Sequence, residues 1–206
     1  NTGYHLPSLF AGSEGTLGII TRARLRLHPH LADRCTAMLA FDSVEDAVAA
    51  TSALRRSVAS LHAVEVIFRD AMHLVCEHIN SAVPIGANSE AWLIVEAAGS
   101  SDPTEELAAA IDHLGSLVAD VGVGVDGSSR NNLWRYREKV TEAISAKGTP
   151  HKLDVTLGAS KLADFVSQVP SIVSGIDGDS SVYMFGHLGD GNVHVNVLGN
   201  AGDEPP

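Results

Sequence analysis

The chain has 206 residues, 45% of them hydrophobic, and a formal charge of −11 at pH 7, enough to bury one good core or two small ones. That acidity, with no run of Lys or Arg, argues against a nucleic-acid or anionic-membrane partner, whose phosphates most of such a surface repels. No apolar stretch reaches the roughly 18–20 residues of a membrane span, and no signal-peptide pattern opens the chain, so residence in the cytoplasm is expected.

The first thirty residues stand apart. They carry a glycine-rich run from Gly12 to Gly18, then an alternating stretch over residues 19–27 that predicts a strand, then Pro29. A domain boundary is expected near His30, separating residues 1–30 from 31–206. The opening Asn1, Thr2, Gly3, Tyr4, without an initiating methionine, reads as the middle of a folded segment, so a piece of a larger chain is expected. From there strand and helix signals alternate. Residues 35–41 read as a strand, Ser43 can cap a helix to about Ala59, residues 63–68 read as a strand and 70–79 as a helix. A loop with Pro84 and Gly86 precedes a strong strand over residues 91–98.

Asp102 and Pro103 open a helix over residues 104–119, since proline is tolerated in a first turn. A short Val/Gly strand follows, and Ser128 or Ser129 then caps a helix to about Ala146 that Gly148 and Pro150 stop. Residues 151–157 read as a strand, 160–173 as a helix and 181–197 as a hairpin. The pattern predicts an α+β fold, a mostly antiparallel sheet whose helices are too few to cover more than one side. Two successive strand-helix-strand groups allow a duplicated ferredoxin-like arrangement. Cys35 and Cys76 fit no disulfide or zinc-ribbon spacing and read as core thiols.

Three segments carry chemistry. In the hairpin GHLGDGNVHVN, an Asp190-Gly191 two-residue turn would place His187 directly opposite His194. Side chains so opposed have Cβ atoms about 4.5–5.5 Å apart, close enough for both imidazoles to reach one divalent ion. Asn196 shares their face while Val193, Val195 and Val197 point inward. A closed site would need a third ligand, and a plain exposed hairpin is the competing reading. On the preceding helix, Leu133, Arg137, Val140, Thr141 and Ile144 form one face. Arg137 on an apolar stripe needs a partner: an anion from outside, or an internal Asp or Glu, or else an escape to the stripe's edge. Lys152 shares a strand face with Asp154 and Thr156, as a substrate cation or as one member of an ordinary surface face. The run GSEGTLG leads into a strand and so lacks the dinucleotide-binding pattern.

Together, NTGYHLPSLFAGSEGTLGIIT, LWRYREKVTEAI with HKLDVTL, and GHLGDGNVHVNV resemble the FAD-linked oxidases of the vanillyl-alcohol oxidase type. The branch is that of D-2-hydroxyglutarate dehydrogenase, D-lactate dehydrogenase and the glycolate oxidase flavin subunit. The resemblance implies that residues 1–30 are the last strip of an FAD-binding domain, with Glu14, Gly15, Gly18 and Ile20 against FAD. It implies that residues 31–206 are the substrate and metal cap domain, truncated at its C-terminal end. Arg137, Thr141 and Lys152 would hold the substrate, Asn196 would contact it, and His187 and His194 would ligate a divalent metal, zinc first. Arg137, Lys152, His187 and His194 form the implied catalytic set.

The implied activity is oxidation of a D-2-hydroxy acid such as D-lactate, D-2-hydroxyglutarate or glycolate to the 2-oxo acid, the metal polarising the hydroxyl. Electrons would pass to a quinone, a cytochrome or an electron-transfer flavoprotein, and a homodimer is compatible with the sequence. The rivals are a flavin oxidase acting on another alcohol and a non-catalytic metal-binding or interaction module. This piece alone is expected to be inactive. At position 5 histidine stands where the family commonly has an acid, and Gly158 stands where a proline is usual.

Overall fold

The computed structural model describes residues 3–199; Asn1, Thr2 and residues 200–206, the outer ends of the two expected segments, lie outside the described residues. Contacts divide the chain into two compact units, one ending at His30 and one beginning at Leu31. In the first, Pro7 sits in the opening turn of a short helix, α1 (Leu6–Phe10), where its missing N–H costs nothing. The glycine-rich run then turns tightly: Gly12 and Gly15 take φ of 81° and 79°, with Glu14 at 49° between them. Residues 19–27, expected as a strand, form none. Without a partner strand an extended segment has no ladder to hold it, and Ile19 and Leu27 stand 90% and 91% exposed.

The second unit is built on β1 (Asp33–Phe41), α2 (Val44–Ser57), β2 (Leu61–Phe68), α3 (Arg69–His78), β3 (Ala91–Gly99), α4 (Thr104–Asp112), β4 (Asp120–Gly124), α5 (Gly127–Lys147), β5 (His151–Thr156), α6 (Ala159–Ile176), β6 (Ser181–His187) and β7 (Asn192–Leu198). The strands form one seven-stranded sheet in the order β4-β1-β3-β2-β6-β7-β5, antiparallel at every pairing. The first four strands run in the ferredoxin-like order, with α3 added between β2 and β3. The group β5, β6, β7 repeats the order of the first three. The two halves meet at a short seam where Val66 faces Gly186 and Ile67 faces Phe185.

The α+β class and antiparallel sheet are as expected, but helices cover both faces instead of one. On one face Ala37, Leu39, Phe41, Val66, Leu93 and Val95 pack in one core with residues of α2, α4 and α6, among them Leu54, Leu107 and Leu162. On the other, Met38, Ala40, Ile67, Trp92 and Ile94 share a second core with Met72 and Val75 of α3 and with Leu133, Val140 and Ile144 of α5. The central strands β1 and β3 are continuous apolar runs because neither face meets solvent. Trp92, fully buried, donates its indole N–H to the Ile85 carbonyl at 2.9 Å, which removes the cost of an unpaired buried donor.

Helix ends differ from expectation at α5 and α4, and α6 runs on to Ile176, past residue 173. Asp126, and neither Ser128 nor Ser129, caps α5: its carboxylate accepts from the Ser129 N–H at 2.7 Å, and the Ser129 hydroxyl accepts from the Asp126 N–H at 3.0 Å. This reciprocal capping box occupies both groups. Helix α4 stops at Asp112, short of residue 119, and a 3-10 turn over Gly115–Leu117 follows, entered by Gly115 at φ 54°.

Candidate active site

The hairpin carries the first correction. Its loop is a 3-10 turn, Leu188–Asp190, closed by Gly191 in the left-handed region at φ 72°. His187 therefore faces Asn192, and His194 faces Phe185; the two-residue turn with His187 opposite His194 is not formed. The register slips by two residues, and because strand side chains alternate with period two, both histidines stay on the same face. They end as diagonal neighbours, ring centroids 5.1 Å apart and edge to face at 85°. Two glycines make this geometry accessible. A Cβ on Gly186 would collide with the backbone of Asn192 and Val193, and one on Gly191 with the Leu157 carbonyl.

Strand β5 lies against β7 so that Lys152 faces Asn196, Asp154 faces His194 and Thr156 faces Asn192. All six side chains project from the face that α5 covers in the neighbouring half of the sheet. Val193 and Val195 point into the opposite core, as expected from alternation. Arg137, Thr141, Lys152, Leu153, Asp154, Phe185, His194 and Asn196 line one open cleft of about 370 Å³. Thus Arg137, Thr141, Lys152 and Asn196, drawn from a helix and two strands, come together with one of the two histidines. His187 lines an adjoining hollow with Glu65 and His62.

Arg137 finds an internal partner. Its Nη2 lies 2.9 Å from Oε2 of Glu65, the two side chains being 11% and 12% exposed, and its guanidinium carbon sits 4.5 Å from the Phe185 ring centroid. Of the alternatives open in the sequence, the internal carboxylate is therefore realised. The guanidinium is not saturated, since its buried Nε has no hydrogen-bond partner among the described residues. Burial works against its charge and pulls its pKa down, opposed by the Glu65 charge and hydrogen bond. A buried guanidinium facing an aromatic ring and one carboxylate is costly to desolvate and costlier to unpair. Lys152, by contrast, is exposed and has no ion-pair partner among the described residues.

Glu65 is the residue that sequence reasoning missed. One register step beyond the Val66 and Gly186 pair, it reaches across the seam, and its Oε1 lies 2.7 Å from Nδ1 of His187. The signal was present: an acid in the apolar strand run AVEVIF needs a partner as much as an arginine on an apolar helix face does. Glu96 in the run WLIVEAA is a second such acid. Buried at 6% exposure, it takes hydrogen bonds from Thr36 and from the Trp134 indole N–H, each at 3.0 Å, and pairs with Arg34. That ties α5 to the sheet one helical turn before Arg137.

His194 has its Nδ1 3.3 Å from Asp154 Oδ1, which also accepts from the Asn192 amide at 2.7 Å. Burial lowers the His194 pKa; Asp154 opposes this, while His187 and Arg137 reinforce it. Both imidazoles thus have Nδ1 toward a carboxylate, hydrogen-bonded in His187 and at ion-pair distance only in His194, with Nε2 left for another partner, as in histidines that serve a metal. The pair fits two positions of such a site but does not complete one. Among the described residues no group of three His, Cys, Asp or Glu side chains could hold a metal ion. Glu14, Gly15, Gly18 and Ile20 lie in the separate first unit, on exposed turns and extended backbone.

Arg137, Lys152, His194 and the buried Asn196 amide thus meet at one cleft of an antiparallel α+β domain, with His187 in the adjoining hollow. The chain belongs to the family described as FAD linked oxidases, C-terminal domain, which it matches over residues 31–205. It is 33% identical over 208 residues to mitochondrial D-2-hydroxyglutarate dehydrogenase of Bos taurus, covering 98% of this chain and 37% of that protein. The Xanthomonas citri D-2-hydroxyglutarate dehydrogenase is 31% identical over 201 residues, covering 96% and 42%. The chain therefore spans well under half the length of these curated relatives. In fold it is similar to an alkyldihydroxyacetonephosphate synthase structure, with TM-score 0.66 at 15% identity over 96% of this chain and 42% of that one. No helix among the described residues is long and apolar enough to cross a membrane.

Proposed function

We propose that the full-length protein containing this chain is an FAD-dependent dehydrogenase that oxidises a D-2-hydroxy acid to the 2-oxo acid, with D-2-hydroxyglutarate as the first candidate. The observation that carries the reading is the convergence on one cleft of Arg137, His194, Asn196 and Lys152, which has no ion-pair partner among the described residues. In this reading Lys152 and Arg137 bind the substrate carboxylate by charge-assisted hydrogen bonds, and Thr141 and Asn196 orient the substrate with a hydroxyl and an amide. His187 and His194 hold a divalent metal, zinc first, with a ligand from outside the described residues. Such a metal, when bound, polarises the substrate hydroxyl and lowers its pKa. FAD supplies the hydride acceptor, with the backbone of Glu14, Gly15, Gly18 and Ile20 against it as the end of the FAD-binding domain. The final electron acceptor is a quinone, a cytochrome or an electron-transfer flavoprotein.

The test is a panel of D- and L-2-hydroxy acids and plain alcohols, run on the full-length protein with a dye acceptor. The expected result is turnover of a D-2-hydroxy acid and none of the matching alcohol that lacks the carboxylate. Equal turnover of the two would remove Arg137 and Lys152 from substrate binding and leave a flavin oxidase of another alcohol.

A further inference from the structure

The proposed metal pair contains one histidine whose orientation has no local explanation. His187 stands at the last position of β6 with a side chain 46% exposed, so water could satisfy its ring without help from the protein. Yet it faces a carboxylate that is only 12% exposed and already carries an ion pair with Arg137. A carboxylate serving Arg137 alone could engage the guanidinium with both of its oxygens. Glu65 divides its two, Oε2 toward Arg137 at 2.9 Å and Oε1 toward His187 Nδ1 at 2.7 Å.

An ionised carboxylate only accepts hydrogen bonds. The His187 proton facing Glu65 must therefore sit on Nδ1, and in the neutral ring the Nε2 lone pair is then left free. This is the tautomer that a histidine needs in order to ligate through Nε2. The same β2–β6 seam that fixes Glu65 beside His187 brings Phe185 under the Arg137 guanidinium, so one register sets both contacts.

We propose that Glu65 is a positioning residue that locks His187 in the Nδ1–H tautomer and holds Arg137 at the cleft with its other oxygen. It thereby fixes a proposed metal ligand and a proposed substrate cation through one side chain. The assignment rests on the reading of the cleft given above, but its central claim, the tautomer, is measured without substrate, flavin or metal.

The experiment is long-range 15N–1H correlation of the histidine rings in the 206-residue chain, at a pH above the imidazole range, with zinc titration calorimetry alongside. The chain as given is expected to show His187 as Nδ1–H. Glu65→Gln, whose amide oxygen still accepts, keeps that tautomer. In the double variant Glu65→Leu with Arg137→Met, which leaves no guanidinium unpaired, His187 moves toward the Nε2–H form common for imidazole in water. Where zinc binds, losing Glu65 weakens it by roughly 10- to 100-fold, while Arg137→Met alone does not. An Nδ1–H tautomer unchanged in the double variant overturns the assignment, as does an Nε2–H form in the parent chain. A chain whose His187 tautomer follows Glu65 but which, even at full length, binds no zinc supports the Glu65 role and refutes the metal ligation proposed above.

Discussion

Lys152→Met is the most discriminating substitution, because Lys152 contributes to the cleft and to little else. It lies exposed on edge strand β5, with no ion-pair partner among the described residues, so removing its charge strands no buried group. Surface changes of that kind stay within about 0.5 kcal/mol of the parent in stability. If the ammonium binds the substrate carboxylate, the loss is one hydrogen bond to a charged group, about 1.5–3 kcal/mol. That converts to roughly 10- to 150-fold in kcat/KM. The assay is steady-state kinetics of the full-length enzyme on a D-2-hydroxy acid with a dye acceptor, paired with thermal unfolding of the same preparation. A kcat/KM within twofold of the parent would refute the carboxylate role. A large fall in Tm accompanying lost activity would refute the premise that Lys152 is structurally free.

For the buried pair of Arg137 and Glu65, either single removal, Arg137→Met or Glu65→Leu, should cost about 3–5 kcal/mol, because the survivor loses its buried counter-charge, Glu65 keeping only the His187 Nδ1 contact and Arg137 only the Phe185 ring. The double variant should cost less than either in urea unfolding, and additive losses would contradict the coupling. The lowered His194 pKa gives a pH dependence with a definite sign. The folded state favours the neutral ring, so its stability is fully present above the unfolded value near about 6.5 and falls as pH drops through that value toward the folded one. Tm should decline between pH 7.5 and 5.5 less steeply in His194→Gln than in the parent; identical slopes would show that His194 does not contribute. Gly186→Ala places a methyl against the Asn192 and Val193 backbone and should cost about 1–3 kcal/mol; an unchanged Tm would mean that the β6–β7 crossing is looser than described.

The amino-acid sequence alone settles a good deal about this chain. Continuous apolar runs and caps predict the central strands and most helices, since hydrophobic period and turn chemistry are local properties. The face shared by His187, His194 and Asn196 was legible for the same reason: period-two alternation survives a two-residue error in the turn. The pairing of His187 with Asn192 was not, because a four-residue loop with Gly191 in the left-handed region competes with the two-residue turn, and only the full ladder decides between them. Coverage of both sheet faces was misjudged from the number of helices, whereas the simultaneous burial of Leu39 and Met38 required it. The partner of Arg137 depended most on tertiary structure. Glu65 and Arg137 are far apart in sequence, and their meeting is set by the seam between β2 and β6, a register of two residue pairs. Local patterning can say that a buried guanidinium and a buried carboxylate each need a counter-charge; only the packing of α5 across that seam determines that they satisfy one another.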